Sequence, residues 1–249
     1  ELDLPDYDVD ILDSDPVMIA SQAFSFVRML DRARVNDAAK ALLAAYATGT
    51  DLDALVARQN LTRLDGENDV QLLRRYLLSF ERAAAGSRSG LLFRAFTAAP
   101  SLHDCEVNGQ AVHGRLGDVD IVIATSADGS LDQAVFDAVH AALSDEEAFP
   151  EATTLIFNRA ETLFYPVRRT VHVPRGIDPG LVKVEVEARL SAATSARAFI
   201  GASVPADYLT GACYGANVID VTGESADVIA DRYQMPVAQA LEITVEVAS

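Results

Sequence analysis

Apolar and polar residues recur with a helical period up to about Pro100 and with a strand period in several segments beyond it. Residues 16–46 read as one long helix, with Asp15 as N-cap and Pro16 as first helical residue, where its missing N–H costs nothing. In its second half Val35, Ala38, Ala39, Leu42, Leu43 and Tyr46 share a stripe, leaving Asn36, Asp37 and Lys40 to water. The stretch YATGTDLDALVARQNLTRL then reads as a corner. Gly49 can take the left-handed conformation that closes one helix, while Thr50 or Asp51 caps the next, which starts at Leu52. This second helix, 52–60, presents Leu52, Leu55 and Val56; a third, about 69–85, presents Leu72, Leu73, Leu77 and Phe80; a fourth, about 89–99, carries Leu92, Phe93 and Phe96.

After Pro100 the period changes, and Val119, Ile121 and Ile123 alternate with Asp120, Val122 and Ala124 as a strand does. Ser130 and Gln133 form an S-x-x-Q capping box before a helix whose Leu131, Val135, Val139 and Leu143 share a face, and a strand over 154–159 follows. The same order recurs downstream: a strand over 164–173, Asp178 and Pro179 as cap and first residue, and a helix over 181–199. The segment LVKVEVEARL also alternates as a strand would, and the Asp-Pro start decides for helix. A short helix (206–213), a strand (218–221) and a terminal strand (241–247) complete the chain. The fold class expected is α+β: a helical region, 1–100, followed by two small strand-helix-strand modules in series, 101–160 and 161–249.

The long helix has apolar residues on two sides. At about 100° per residue, Val17 and Phe24 line up with Val35, Leu42 and Tyr46, the side expected to face the protein's own core. Ile19, Ala23, Phe26, Leu30 and Ala33 lie roughly opposite, spaced four, three, four and three, the rhythm of a coiled-coil seam. Either the helix is buried all round, or the seam is a partner surface.

Charge narrows the partners. Against 20 Lys+Arg stand 37 Asp+Glu in 249 residues, a net charge of −17, which repels phosphate backbones and anionic headgroups; neither nucleic acid nor membrane insertion is expected. The N-terminus, ELDLPDYDVDILDSD, has neither the basic flank nor the apolar run of a secretory signal. Cys105 and Cys213 are too few for a disulfide framework and are expected to be reduced.

Candidate chemistry is thin. Asp6, Asp8 and Asp10 have the spacing of the first ligands of a calcium loop, but Ile11 and Val17 stand where it needs glycine and glutamate. His103, Asp104 and Cys105 are neighbours, yet adjacent strand residues point to opposite faces, and nothing places His113, His140 or His172 beside the thiol. His172 falls on the solvent side of its strand with no second ligand at metal spacing. Ser203 in GASVP lacks the second glycine of a nucleophile elbow, and no phosphate loop occurs. A Cys/His-dependent hydrolase whose site only the fold assembles stays as the alternative. A carbohydrate- or peptide-binding module is disfavoured by 7% aromatic residues and no Trp.

The run VNDAAKALLAAYATGTDLDALVARQNLTRL resembles the central helical signature of the phage P2-type baseplate assembly protein J family, also called Baseplate J-like. The resemblance continues through DVQLLRRYLLSFERAAAGS, DVDIVIATSADGS and TTLIFNRAETLFYPVRRTVHVPRGIDPGLV, and so along nearly the entire chain. It implies a structural wedge subunit of a contractile tail baseplate, phage or prophage-derived, located in the virion and, during assembly, in the host cytoplasm. It implies other wedge and hub proteins as partners, self-association as a further option, and no cofactor, metal or catalytic residue. It favours Ile19, Ala23, Phe26, Leu30 and Ala33 as the partner interface, with Gly49, Asp51 and Leu52 as a structural corner. Two departures follow from the same resemblance: an N-terminal segment carried by fuller members is expected to be missing, and Ser87-Arg88-Ser89-Gly90 stands in a shortened connection.

Overall fold

A computed structural model describes residues 16–81, 86–145, 148, 152–223 and 226–248. The acidic lead-in and the expected N-cap, Asp15, lie outside the described residues. Backbone contacts divide the chain into two compact units, Glu1–Arg63 and Leu64–Ser249. The fold is α+β, helices first and small sheets after.

In the first unit α1 spans Pro16–Ala41 and α2 spans Gly49–Ala57. Four expectations are corrected. The long helix stops at Ala41, so Leu42, Leu43 and Tyr46 lie in the turns that follow, tied by Tyr46 N–H to Leu43 O at 2.9 Å. The stripe expected to face a core is exposed throughout: Val17, Phe24, Val35, Leu42 and Tyr46 all stand in solvent. Gly49 does adopt a left-handed φ of +53°, but as the opening residue of α2 rather than the close of α1, and Thr48 is the N-cap in place of Thr50 or Asp51. Leu52, Leu55 and Val56 are buried. Arg63 Nε donates to Asp53 Oδ1 at 2.9 Å, holding the segment after α2 to the helix.

The second unit opens with α3 (Asp69–Ser79) and α4 (Arg88–Ala98). A reciprocal capping box starts α3: Asn68 Oδ1 accepts from Gln71 N–H, and Gln71 Oε1 accepts from Asn68 N–H. The stripe actually buried is Leu72, Arg75 and Ser79, whereas the expected Leu77 and Phe80 are exposed. Arg75 is buried because its guanidinium meets both oxygens of Glu67 at 2.8 Å, and Leu64 N–H takes a further lone pair.

Next come β1 (Asp104–Asn108), α5 (Gln110–His113), β2 (Asp118–Ala124), α6 (Gln133–Leu143) and β3 (Thr154–Arg159). The sheet order is β1-β2-β3, antiparallel then parallel. Its odd-numbered face (Cys105, Val107, Ile121, Ile123) packs with Leu91, Leu92, Ala95 and Phe96 of α4 and Val139 and Leu143 of α6. The cap of α6 is Asp132, whose Oδ1 accepts from Ala134 and Val135 N–H, in place of the expected Ser130.

The last part comprises β4 (Glu161–Val173), α7 (Pro179–Ser195), β5 (Ser203–Val204), α8 (Ala206–Cys213), β6 (Asp220–Thr222), β7 (Val228–Ile229) and β8 (Gln234–Val247). Helix wins over strand for α7, with Asp178 Oδ1 accepting from Gly180 N–H at 2.8 Å and Pro179 opening the first turn. Its Val182, Val186 and Leu190 pack with Val167, Val171 and Ile243 of the sheet β6-β4-β8. Strand β8 begins seven residues earlier than the pattern predicts, because Gln234 to Ala238 pair with β4 ahead of a bulge at Tyr165/Pro166.

Candidate functional site

The surface that distinguishes this chain is α1. Its 26 residues include no buried one, although Val17, Ile19, Phe24, Phe26, Val27, Met29, Leu30 and Val35 are large and apolar. Helical geometry places Ile19, Ala23, Phe26, Leu30 and Ala33 along one line, and all five are exposed, Phe26 by 55%. Isolated apolar residues on a surface are ordinary; a continuous row along a helix is the pattern that calls for an explanation. The helix also differs in charge: Arg28, Arg32, Arg34 and Lys40 outnumber Asp31 and Asp37 in a chain that is otherwise strongly acidic. The ion pair within it, Arg34 with Asp31 at 3.7 Å, is exposed and worth little.

The corner residues are split in role. Gly49 supplies the left-handed turn, and a Cβ built there meets nothing within 4 Å, so its constraint is backbone conformation alone. Leu52 is fully buried, while Asp51 lies exposed in the first turn of α2, where a negative charge is favoured.

The chemically suggestive residues of the second unit are held in structural contacts. Asp104 Oδ1 accepts from Arg74 at 2.7 Å, and its Oδ2 from Ile200 N–H at 2.9 Å. Cys105 points the other way into the core, where burial first, then Asp104 and Glu106, push its thiol well above the usual range. His103 stacks on Phe199 at 5.2 Å, and Arg74 sits 4.4 Å over the Phe96 ring. These groups line a cleft of about 480 Å³ together with Val70, Leu102 and Thr125. Cys213 is buried in the second core, its thiol raised by desolvation and donating to Leu209 O at 3.3 Å. His172 stands 3.7 Å from Glu246 on the open face of its sheet, and His140 lies against Phe157 at 4.2 Å. Ser203 is exposed in β5. Among the described residues no group of three or more His, Cys, Asp or Glu could hold a metal ion, and no described helix is long and apolar enough to cross a membrane.

One constellation was not anticipated as a group, although Asp104 stands in it as well as beside Cys105. The even-numbered face of β1-β2-β3 carries Asp104, Glu106, Asn108 and Asp120; Asp104 meets Ile200 after α7, and the other three meet the residues just before β8. Asn108 Nδ2 donates to Arg232 O at 3.0 Å, Arg232 reaches Glu106 at 3.6 Å, and Tyr233 OH donates to Asp120 Oδ2 at 2.7 Å. Burial works to raise the Asp120 carboxyl, but hydrogen bonds from Tyr233 and Arg115 outweigh it and hold the group below its ordinary value. Val122, Ala124, Ala160 and Met235 close the same face with apolar contact. The sequence signal was the polar alternation DCEVN and DVDI, which reads equally as a solvent face.

Residues 13–65 match the family model described as the Baseplate J-like N-terminal domain. Over 251 aligned residues the chain is 22% identical to a protein named Baseplate protein J from Escherichia phage P2, across 90% of this chain and 79% of that one. A chain in a six-fold symmetrised cryo-EM structure of the anti-feeding prophage baseplate is similar over 70% of this chain, with 11% identity and a TM-score of 0.48. The match spans 42% of that solved chain, less than half its length.

Proposed function

We propose that this chain, similar over residues 13–65 to the Baseplate J-like N-terminal domain and along most of its length to the phage P2 protein, is a structural wedge subunit of a contractile tail baseplate, phage or prophage-derived, working through assembly rather than catalysis. The observation that carries this reading is α1, a 26-residue helix with an unburied apolar seam. Its partners are other wedge and hub proteins, with self-association the alternative, and its place is the tail baseplate after assembly in the host cytoplasm. Burying Ile19, Phe26 and Leu30 against a partner contributes about 1.5–3 kcal/mol each before association costs. Both thiols are held protonated by burial, which supports a non-catalytic reading over a Cys/His hydrolase.

The test is particle assembly with a Phe26→Glu, Leu30→Glu chain beside a Phe24→Glu control. Two carboxylates in the seam should abolish incorporation into tail particles while circular dichroism stays that of the parent. The control changes the opposite side, which is also exposed, and should assemble. Equal loss in both variants would remove the seam as the interface; full assembly by the double variant would remove α1 altogether.

A further inference from the structure

Strand β8 is an edge of the sheet β6-β4-β8. Its pairing with β4 runs without further shift from Pro166↔Ala240 to Val173↔Val247. Ala248 N–H donates to Val173 O at 2.8 Å, which sets the sense of the ladder. In a parallel pair a bonding residue turns both its N–H and its C=O to the neighbouring strand, so even-numbered residues here bond to β4. Leu241, Ile243, Val245 and Val247 therefore turn their N–H and C=O groups outward. Ile219 N–H donates to His172 O at 2.8 Å, so β4 is occupied by β6 on its other side and β8 is the strand left open. Among the described residues, no hydrogen bond reaches the outward groups.

Long edges are commonly blunted by Lys, Pro or a bulge. Here the bulge lies ahead of the open stretch, and residues 240–247, ALEITVEV, contain no Lys, Arg or Pro. Leu241, Ile243 and Val245 send their side chains to the core, while Glu242, Thr244 and Glu246 stand exposed. Arg168 meets Glu242 from the β4 side at 2.8 Å, and His172 lies 3.7 Å from Glu246, so a further cation would approach from the outer side.

We propose that the edge 241–247 docks an extended segment of a different protein, with Lys or Arg at alternate positions, which adds a fourth strand to this sheet. A second copy is the poorer occupant. A two-fold pairing of β8 with itself is antiparallel, and the register that uses the whole edge, centred on Thr244, sets each Glu242 opposite a Glu246. The net charge of −17 adds to that repulsion and favours a basic partner. The inference stands apart from α1 and does not rest on the baseplate reading.

The probe is a short fluorescent peptide alternating valine and lysine, compared with one alternating valine and glutamate, on the parent chain and on Val245→Pro. Of the backbone groups proline at 245 removes only an outward N–H, which a solvent-facing edge tolerates, and because the Val245 side chain also packs on the core, the comparison uses a variant that keeps the parent's circular dichroism spectrum. Saturable binding of the lysine peptide is expected, at least about tenfold weaker to Val245→Pro and at least about tenfold weaker for the glutamate peptide. Equal binding to Val245→Pro, which keeps every charge, would mean simple charge attraction and overturn the proposal, as would no binding to the parent. Amide hydrogen exchange on the parent gives a second readout that needs no variant. The peptide should slow exchange at Ile243, Val245 and Val247, and unchanged exchange there overturns the proposal. Sedimentation of the parent as a dimer that Val245→Pro makes monomeric would assign the edge to a second copy instead.

Discussion

Helices α1 and α7 show the two outcomes open to an apolar pattern. In α1 the spacing is legible on both sides, and no residue is buried; in α7 the sequence LVKVEVEARL reads as readily as a strand, yet Val182, Val186 and Leu190 are buried to 2% or less. A periodic apolar row states which face of a helix is available for burial. What covers it depends on the neighbouring elements. For α7 these are β8 and α8, whose side chains complete a core with β4. The row on α1 finds no such cover, and no residue of that helix is buried.

The comparison can be broken most severely inside the second core. Leu190→Ala removes a fully buried side chain from α7 and should cost about 2–5 kcal/mol, seen as a lower urea midpoint. A cost near zero would place α7 with α1 as a helix whose apolar face is not needed for folding. A smaller effect is expected at the corner between α1 and α2. Gly49→Ala meets open space but keeps a left-handed φ of +53°, so it should lose about 1 kcal/mol, read as a lower melting temperature of the first unit. The smallest effect belongs to α1 itself. Phe24 is 74% exposed, so Phe24→Glu should change stability by no more than about 0.5 kcal/mol in denaturant titration. Unfolding by this substitution would show that α1 is covered in solution by its own chain.

Most elements were legible because their signals are local. The Asp178-Pro179 start, the Leu52, Leu55, Val56 face and the alternation of Val119, Ile121 and Ile123 all act within a few residues of themselves. The misses are as instructive. Leu77 and Phe80 continue a helical stripe in α3, but the buried line runs through Arg75, whose partner Glu67 lies in a loop that no periodicity identifies. Ser130 fits a capping box, but Asp132 stands two residues nearer the first turn and its carboxylate is the stronger acceptor there.

By itself the sequence determined the α+β class, the acidic character, the left-handed role of Gly49 and the seam spacing of Ile19, Ala23, Phe26, Leu30 and Ala33, since each follows from local stereochemistry or from composition. Only the tertiary structure decided which apolar faces find cover. It turned the polar face Asp104, Glu106, Asn108 and Asp120 into the bonds that hold Ile200, Arg232 and Tyr233. It left the edge of β8 open. The reason is that burial and pairing belong to partners far apart in the chain: Asp120 and Tyr233 are separated by 113 positions, a distance across which no residue pattern carries information about its complement.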